Sequence, residues 1–204
     1  MIISSELYQK ALIKPVEDGC NFLKVISGYS TSAMAFKHIT QMLTINATIK
    51  VKLIVGMSVF DGISLSNHRG FNKLVSEDFR DKLNCSYIFR NRPVHSKAYI
   101  WYKNSAFETA YIGSANYTQN AFLGGNRELL VDSSDPNISS YFDQVERDSI
   151  FCDNIEAEHL IQIYREFNYR RNQIRQDEVD GTGVQFIDEK RNLERSEERR
   201  VGKE

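Results

Sequence analysis

VHSKAYIWYKNSAFETAYIGSANYTQNAFLGGNRELLVDS, residues 94–133, carries three apolar, β-rich runs in close succession. VHSKAYIWY (94–102), FETAYIGS (107–114) and RELLVDS (127–133) read as strands. Upstream, FLKVISGY (22–29) and IKVKLIVGM (49–57) read as buried strands, and NCSYIFR (84–90) as a shorter one. Helical patterns separate them. Residues 4–14 look helical, and STSAMAFKHITQML has apolar residues at helical spacing with Ser30 or Thr31 as N-cap. The segment 66–82 reads as a helix, as do 138–150 and 155–171. Strands that first alternate with helices and then cluster predict an α/β domain, a mixed sheet between helical layers.

The chain has 204 residues, 41% hydrophobic and 26% charged, enough for one globular domain with a full core. That domain is expected over 1–171. The remainder, 172–204, is dense in both charges and poor in apolar residues, and reads as a solvated tail or linker. No stretch approaches a membrane span, and MIISSELYQKALIK lacks the pattern of a secretory signal, so a cytoplasmic protein is expected. Cys20, Cys85 and Cys152 are far apart and form no CxxC pair, so they are expected to be buried, reduced thiols. The formal net charge is −1, which argues against a stand-alone DNA-binding domain. It leaves room for a local basic patch at a catalytic site.

The chemistry-bearing residues sit in the opening stretch. His95 and Lys97 are two apart on a predicted strand, so they share a face. There His95 can act as a nucleophile while Lys97 binds a phosphate oxygen. Ser114 and Asn116 are likewise two apart, at the end of the adjoining strand, and can donate to non-bridging oxygens. Glu128 lies near the start of the next strand, where a carboxylate could accept the other imidazole N–H. Each feature alone has a bland reading: a strand HxK, a turn, a surface charge. Their order and spacing favour the catalytic one. Phosphoryl transfer needs little beyond such positioning and charge stabilisation.

HxK followed by GSxN resembles the phospholipase D superfamily, with His95, Lys97, Gly113, Ser114 and Asn116 in matching order. Two departures stand out. Tyr102 occupies the place of the motif's aspartate, and the connection to Gly113 is longer by four residues. The nuclease branch tolerates loss of that aspartate and uses a downstream glutamate, whose place Glu128 fits. Across residues 1–170 the chain resembles the catalytic domain of NgoFVII-type restriction endonucleases, most specifically over 94–131.

The resemblance implies a phospholipase-D-like mixed sheet flanked by helices on both faces. It also implies a metal-independent DNA phosphodiesterase that forms a phosphohistidine intermediate and needs no cofactor. The mechanism requires two histidines. His38, His68 and His159 lie outside any HxK and read as structural or surface residues. A homodimer is therefore expected, with a second His95 across a two-fold axis. Arg90, Arg92, Arg127 and Tyr117 flank the motif and are candidate DNA-contacting residues. A separate DNA-recognition domain or helicase subunit would supply sequence choice. The competing readings are a phospholipase or phosphatidyl transferase using the same histidine, and an inactive nucleic-acid-binding or dimerisation module. A PD-(D/E)xK metal site is disfavoured, because the tempting Asp188-Glu189-Lys190 triplet falls in the charged tail.

Overall fold

A computed structural model describes residues 1–165. The expected tail, 172–204, and the end of the expected 155–171 helix lie outside the described residues. The chain opens with β1 (Ile2–Ile3), a π-helical stretch Tyr8–Ile13, α1 (Lys14–Glu17) and β2 (Phe22–Ser27). Next come α2 (Ser32–Ile45), β3 (Lys50–Val55), α3 (Ser58–Asp61), β4 (Ile63–Ser64) and α4 (Leu65–Lys73), the last continued by a π-helical stretch Leu74–Asp78. β5 (Leu83–Ile88), β6 (Ala98–Lys103) and β7 (Ala106–Gly113) follow, then α5 (Gln119–Phe122) and β8 (Leu130–Ser133). The described chain closes with α6 (Asn137–Glu146), β9 (Ser149–Phe151), α7 (Ala157–Leu160) and β10 (Ile163–Tyr164).

Eight strands form one sheet in the order β1-β8-β7-β6-β2-β3-β5-β9, and β10 pairs with β4 in a small second sheet. β2, β3 and β5 run parallel, while β6, β7, β8, β1 and β9 each pair antiparallel with a neighbour. The sheet is therefore mixed, as expected. Alternation along the strands builds its two faces. Leu23 and Val25 of β2, with Tyr99 and Trp101 of β6, join Met34 and Ile39 of α2 and Phe71 of α4 in the larger core. Ile26 of β2, with Ala98, Ile100 and Tyr102 of β6, packs against Phe142 and Val145 of α6 on the opposite face. Burying each such large side chain contributes roughly 1.5–3 kcal/mol, so both faces are anchored.

Local chemistry sets several element ends. Thr31 is the N-cap of α2, its hydroxyl accepting from Met34 N at 3.3 Å. Pro15 has no N–H with which to continue the first helical stretch. The carbonyl of Ala11, four residues earlier, instead accepts from the Trp101 indole at 2.9 Å. β6 and β7 meet through Asn104 and Ser105, both at positive φ (50° and 69°), with Lys103 paired to Ala106. This is a two-residue hairpin loop of the primed kind. The connection between the motif halves is thus this hairpin, whose tip lies at the opposite end of β6 and β7 from Ala98 and Gly113.

Some expected boundaries move. β6 starts at Ala98, so His95 and Lys97 lie in the extended segment leading into it. The expected helix to residue 150 ends at Glu146, because Ser149–Phe151 pair with β5 as β9. The helix expected from 155 shrinks to α7, and β10 follows by pairing with β4. In both places pairing with a distant strand overrides a local pattern. All three cysteines are buried and unpaired. Among the described residues no helix is long and apolar enough to cross a membrane.

Candidate active site

The carboxyl ends of β2, β3, β5 and β7 and the amino ends of β6 and β8 share one edge of the sheet, where the candidate residues collect. Two glycines make the approach possible. Val94 N donates to Gly56 O at 3.0 Å, and a Cβ on Gly56 would stand 1.9 Å from the Val94 carbonyl oxygen. The segment that carries His95 can cross the end of β3 only above a glycine. At the end of β7, a Cβ on Gly113 would lie 2.0 Å from the Leu129 carbonyl oxygen, while Gly113 N donates to Lys97 O at 3.2 Å. That contact brings the HxK segment, the GSxN segment and residues 128–129 together.

His95 is exposed and Lys97 is buried beneath it. Lys97 Nζ donates to the His95 carbonyl at 2.7 Å and stands 3.1 Å from Nε2 and 3.2 Å from Nδ1 of the imidazole. A second cation this close disfavours the imidazolium, so this arrangement suits a neutral imidazole packed against the Lys97 ammonium, which lies along neither ring lone pair. Burial and the Lys97 charge together lower the His95 pKa below its ordinary value, against a smaller opposite pull from Asp61. Burial lowers the Lys97 pKa, opposed by the Glu128 carboxylate. Asn116 Oδ1 accepts from Tyr29 N at 3.1 Å and from Ser27 Oγ at 3.4 Å. With its carbonyl oxygen so committed, the amide nitrogen is the end Asn116 offers to a ligand. A Cβ on Gly28 would meet both His95 Cδ2, at 3.0 Å, and Asn116 Oδ1, at 3.4 Å, which shows how closely these residues converge.

Ser114 and Glu128 form a unit of their own. Ser114 Oγ donates to Glu128 Oε2 and accepts from Leu129 N at 3.0 Å, while Asn126 Nδ2 donates to Glu128 Oε1 at 3.4 Å. The expectation that Glu128 takes an imidazole N–H is therefore corrected within the single chain. Its carboxylate binds Ser114 and Asn126 and reaches Lys97 through charge.

The flanking candidates divide. Arg92 lines a cleft of about 500 Å³ together with His95, and Arg127 lines another of about 430 Å³ together with Glu128. Arg90 is engaged elsewhere: its guanidinium donates to the Arg147 carbonyl at 2.6 Å and pairs with Asp148 at 3.4 Å. Tyr117 is a correction. It is fully buried, and its hydroxyl meets His38 Nδ1 at 2.7 Å, so it belongs to the core rather than to a DNA-contacting surface. Its backbone N donates to Ser27 Oγ at 2.8 Å, which helps fix the end of the GSxN segment.

Tyr102, at the place of the motif's aspartate, turns to α6, on the sheet face opposite Tyr99 and Trp101. Its hydroxyl donates to Ser139 Oγ at 2.7 Å, and its ring packs on Phe22 and Phe107. His38 is buried between Tyr117 and the Leu12 carbonyl, and burial pushes its pKa down to about 4. His68 is buried against Tyr87 and Glu158, and His159 is exposed on α7.

Two site residues escaped the sequence reading. Tyr29 places its ring edge-on to His95, with centroids 6.0 Å apart at 79°, and its hydroxyl donates to the buried carboxylate of Asp61. Both follow parallel strands, Tyr29 after β2 and Asp61 on the short α3 after β3. Knowledge that those strand ends adjoin was the signal needed to find them.

Comparison with known proteins is consistent with this geometry. NucT from Helicobacter pylori superposes with a TM-score of 0.50 at 19% identity, covering 74% of this chain and 97% of that one. Nuc from Salmonella typhimurium, a phospholipase D family member, gives 0.50 at 12% identity, covering 69% and 87%. At such identities the likeness concerns the fold. No curated protein sequence matches the chain. Residues 5–159 match the NgoFVII restriction endonuclease N-terminal PLD domain, and the chain therefore belongs to that phospholipase-D-like nuclease family.

Proposed function

We propose that this domain cuts DNA by metal-independent phosphodiester hydrolysis through a phosphohistidine on His95, at a site shared by two copies of the chain. The observation that carries the proposal is the buried Lys97 ammonium packed against the His95 imidazole, a neighbour that disfavours the charged ring. A neutral imidazole is a nucleophile. The ammonium supplies the cationic charge that a phosphate oxygen needs, where other nucleases use a metal ion.

In the first step a ring nitrogen of His95 forms a bond to phosphorus, and the bond to one bridging oxygen breaks. The leaving oxygen takes a proton from the imidazolium of His95 of the partner subunit. In the second step that imidazole, now neutral, takes a proton from water. The water oxygen bonds to phosphorus as the N–P bond breaks, and both histidines return to their starting states. Lys97 and the Asn116 amide steady the non-bridging oxygens as charge builds, while Ser114, whose one proton goes to Glu128, braces the end of the GSxN segment against Leu129 N. Glu128 orients Ser114 and balances the Lys97 charge. Sequence choice belongs to a separate DNA-recognition domain or helicase subunit.

An inactive module would have drawn its support from Tyr102, but that residue faces α6, so its replacement of aspartate leaves the site's residues in place. A lipid phosphodiesterase would use the same histidine, and substrate choice separates it from a nuclease. The test is cleavage of plasmid DNA in excess EDTA by wild type and His95→Ala. Wild type should cut at an undiminished rate and the variant should be inactive. Loss of wild-type cutting in EDTA, restored by magnesium, contradicts the histidine mechanism.

A further inference from the structure

The cleft beside His95 has a wall that the mechanism leaves unused. The loop 89–94 forms one side and α6 the other. The loop is held by Phe89 N to Asp148 O at 3.2 Å, Arg90 to Arg147 O at 2.6 Å and to Asp148 at 3.4 Å, Asn91 Nδ2 to Asp148 Oδ1 at 2.6 Å, and Val94 N to Gly56 O at 3.0 Å. α6 is tied to the HxK segment, because the Tyr141 and Ser96 hydroxyls meet at 2.9 Å. The open cleft between them is about 500 Å³, with His95 in its lining.

The composition of that space is specific. Val94 and Val145 form an apolar floor. Tyr141 is 37% exposed, so part of its ring is open to a ligand. Gln144 and Arg92 are exposed along the rim, one an amide with donors and an acceptor, the other a fixed cation. The one carboxylate of the lining, Asp148, is already bound by Asn91 and Arg90, so its charge is countered. A planar aromatic ligand with polar edges, attached to an anion, satisfies all of these groups together.

We infer that this cleft is a nucleoside subsite, in which the base next to the scissile phosphate stacks on Tyr141 while Gln144 meets its edge and Arg92 the following phosphate. The inference rests on the phosphodiesterase reading of His95, because that residue fixes where the scissile phosphate lies. It makes the preferred substrate a strand whose bases are free to leave the stack, single-stranded or locally opened DNA. Stacking on an aromatic side chain tolerates any base, so the subsite adds affinity and little sequence choice.

The test uses the full chain and single-stranded oligonucleotides, intact or abasic at one nucleotide beside the cleaved linkage. Tyr141→Ala should lower kcat/KM on the intact strand by about 10-fold. Tyr141→Phe, which keeps the ring and loses the bond to Ser96, should recover most of that loss. With the abasic strand, wild type should fall to the level of Tyr141→Ala, and that variant should fall no further. Equal cleavage of both strands by wild type and Tyr141→Ala overturns the subsite while leaving the nuclease reading intact. Binding of the intact oligonucleotide to His95→Ala and to the His95→Ala/Tyr141→Ala double variant separates the other case. Should cleavage prove absent altogether, Tyr141-dependent binding upholds the subsite and removes the nuclease reading. Binding that ignores Tyr141 removes the subsite as well.

Discussion

At the scale of single residues, the Lys97–His95 contact sets the charge state of the proposed nucleophile. Burial and the Lys97 charge hold the His95 pKa down, and the Asp61 carboxylate opposes them. Lys97→Met should therefore move the His95 pKa up toward its ordinary value, and Asp61→Asn should move it further down. Histidine NMR titration reads both shifts, and a rise in the Asp61→Asn variant would contradict the assignment of charges.

His38 gives a prediction about stability. Its folded pKa, about 4, lies below the unfolded value near 6.5. The neutral imidazole therefore contributes fully above pH 6.5, and that contribution is lost as pH falls toward 4, by roughly 3 kcal/mol. Burial lowers the pKa of His68 as well, so it acts in the same direction. Urea midpoints should fall between pH 6.5 and 4 in wild type and fall less steeply in His38→Gln. Parallel slopes would show that His38 is not the group involved.

At the scale of elements, the site depends on close crossings, whereas the hairpin tip does not touch it. Gly56→Ala places a methyl where the Val94 carbonyl lies, so the segment bearing His95 must shift. Cleavage should be lost and stability should drop by about 2–4 kcal/mol, measured by denaturant titration. Ser105→Gly relieves a positive φ in the β6–β7 loop. It should leave the cleavage rate unchanged and raise stability by up to about 1 kcal/mol. A large activity change there would mean that the hairpin tip reaches the site.

Elements of strong pattern were legible in the sequence. β2, β3 and β7 appear where their apolar runs lie, and α2 starts at a residue named from capping chemistry alone. β9 and β10 were not legible, because their strand character comes from pairing with β5 and β4 far along the chain. The same limit governed the site. His95, Lys97, Ser114, Asn116 and Glu128 are local in sequence and were readable as a motif. Tyr29 and Asp61 come from separate βα connections and meet His95 only through the sheet's parallel order. Tyr117 was misplaced because its neighbour Asn116 faces the site while its own ring enters the core.

At the scale of the whole molecule, one chain presents one HxK, yet the proposed chemistry uses a neutral and a charged imidazole together. Two copies of His95 facing each other across a two-fold axis would share protonation and titrate as a coupled pair. Cleavage should then follow a bell-shaped pH dependence. The most direct measurement is the activity of purified mixed dimers, one subunit wild type and the other His95→Ala. A shared centre would hold a single histidine, and the mixed dimer should be nearly inactive. Two independent centres would leave about half the activity, and half-activity in the mixed dimer contradicts the account.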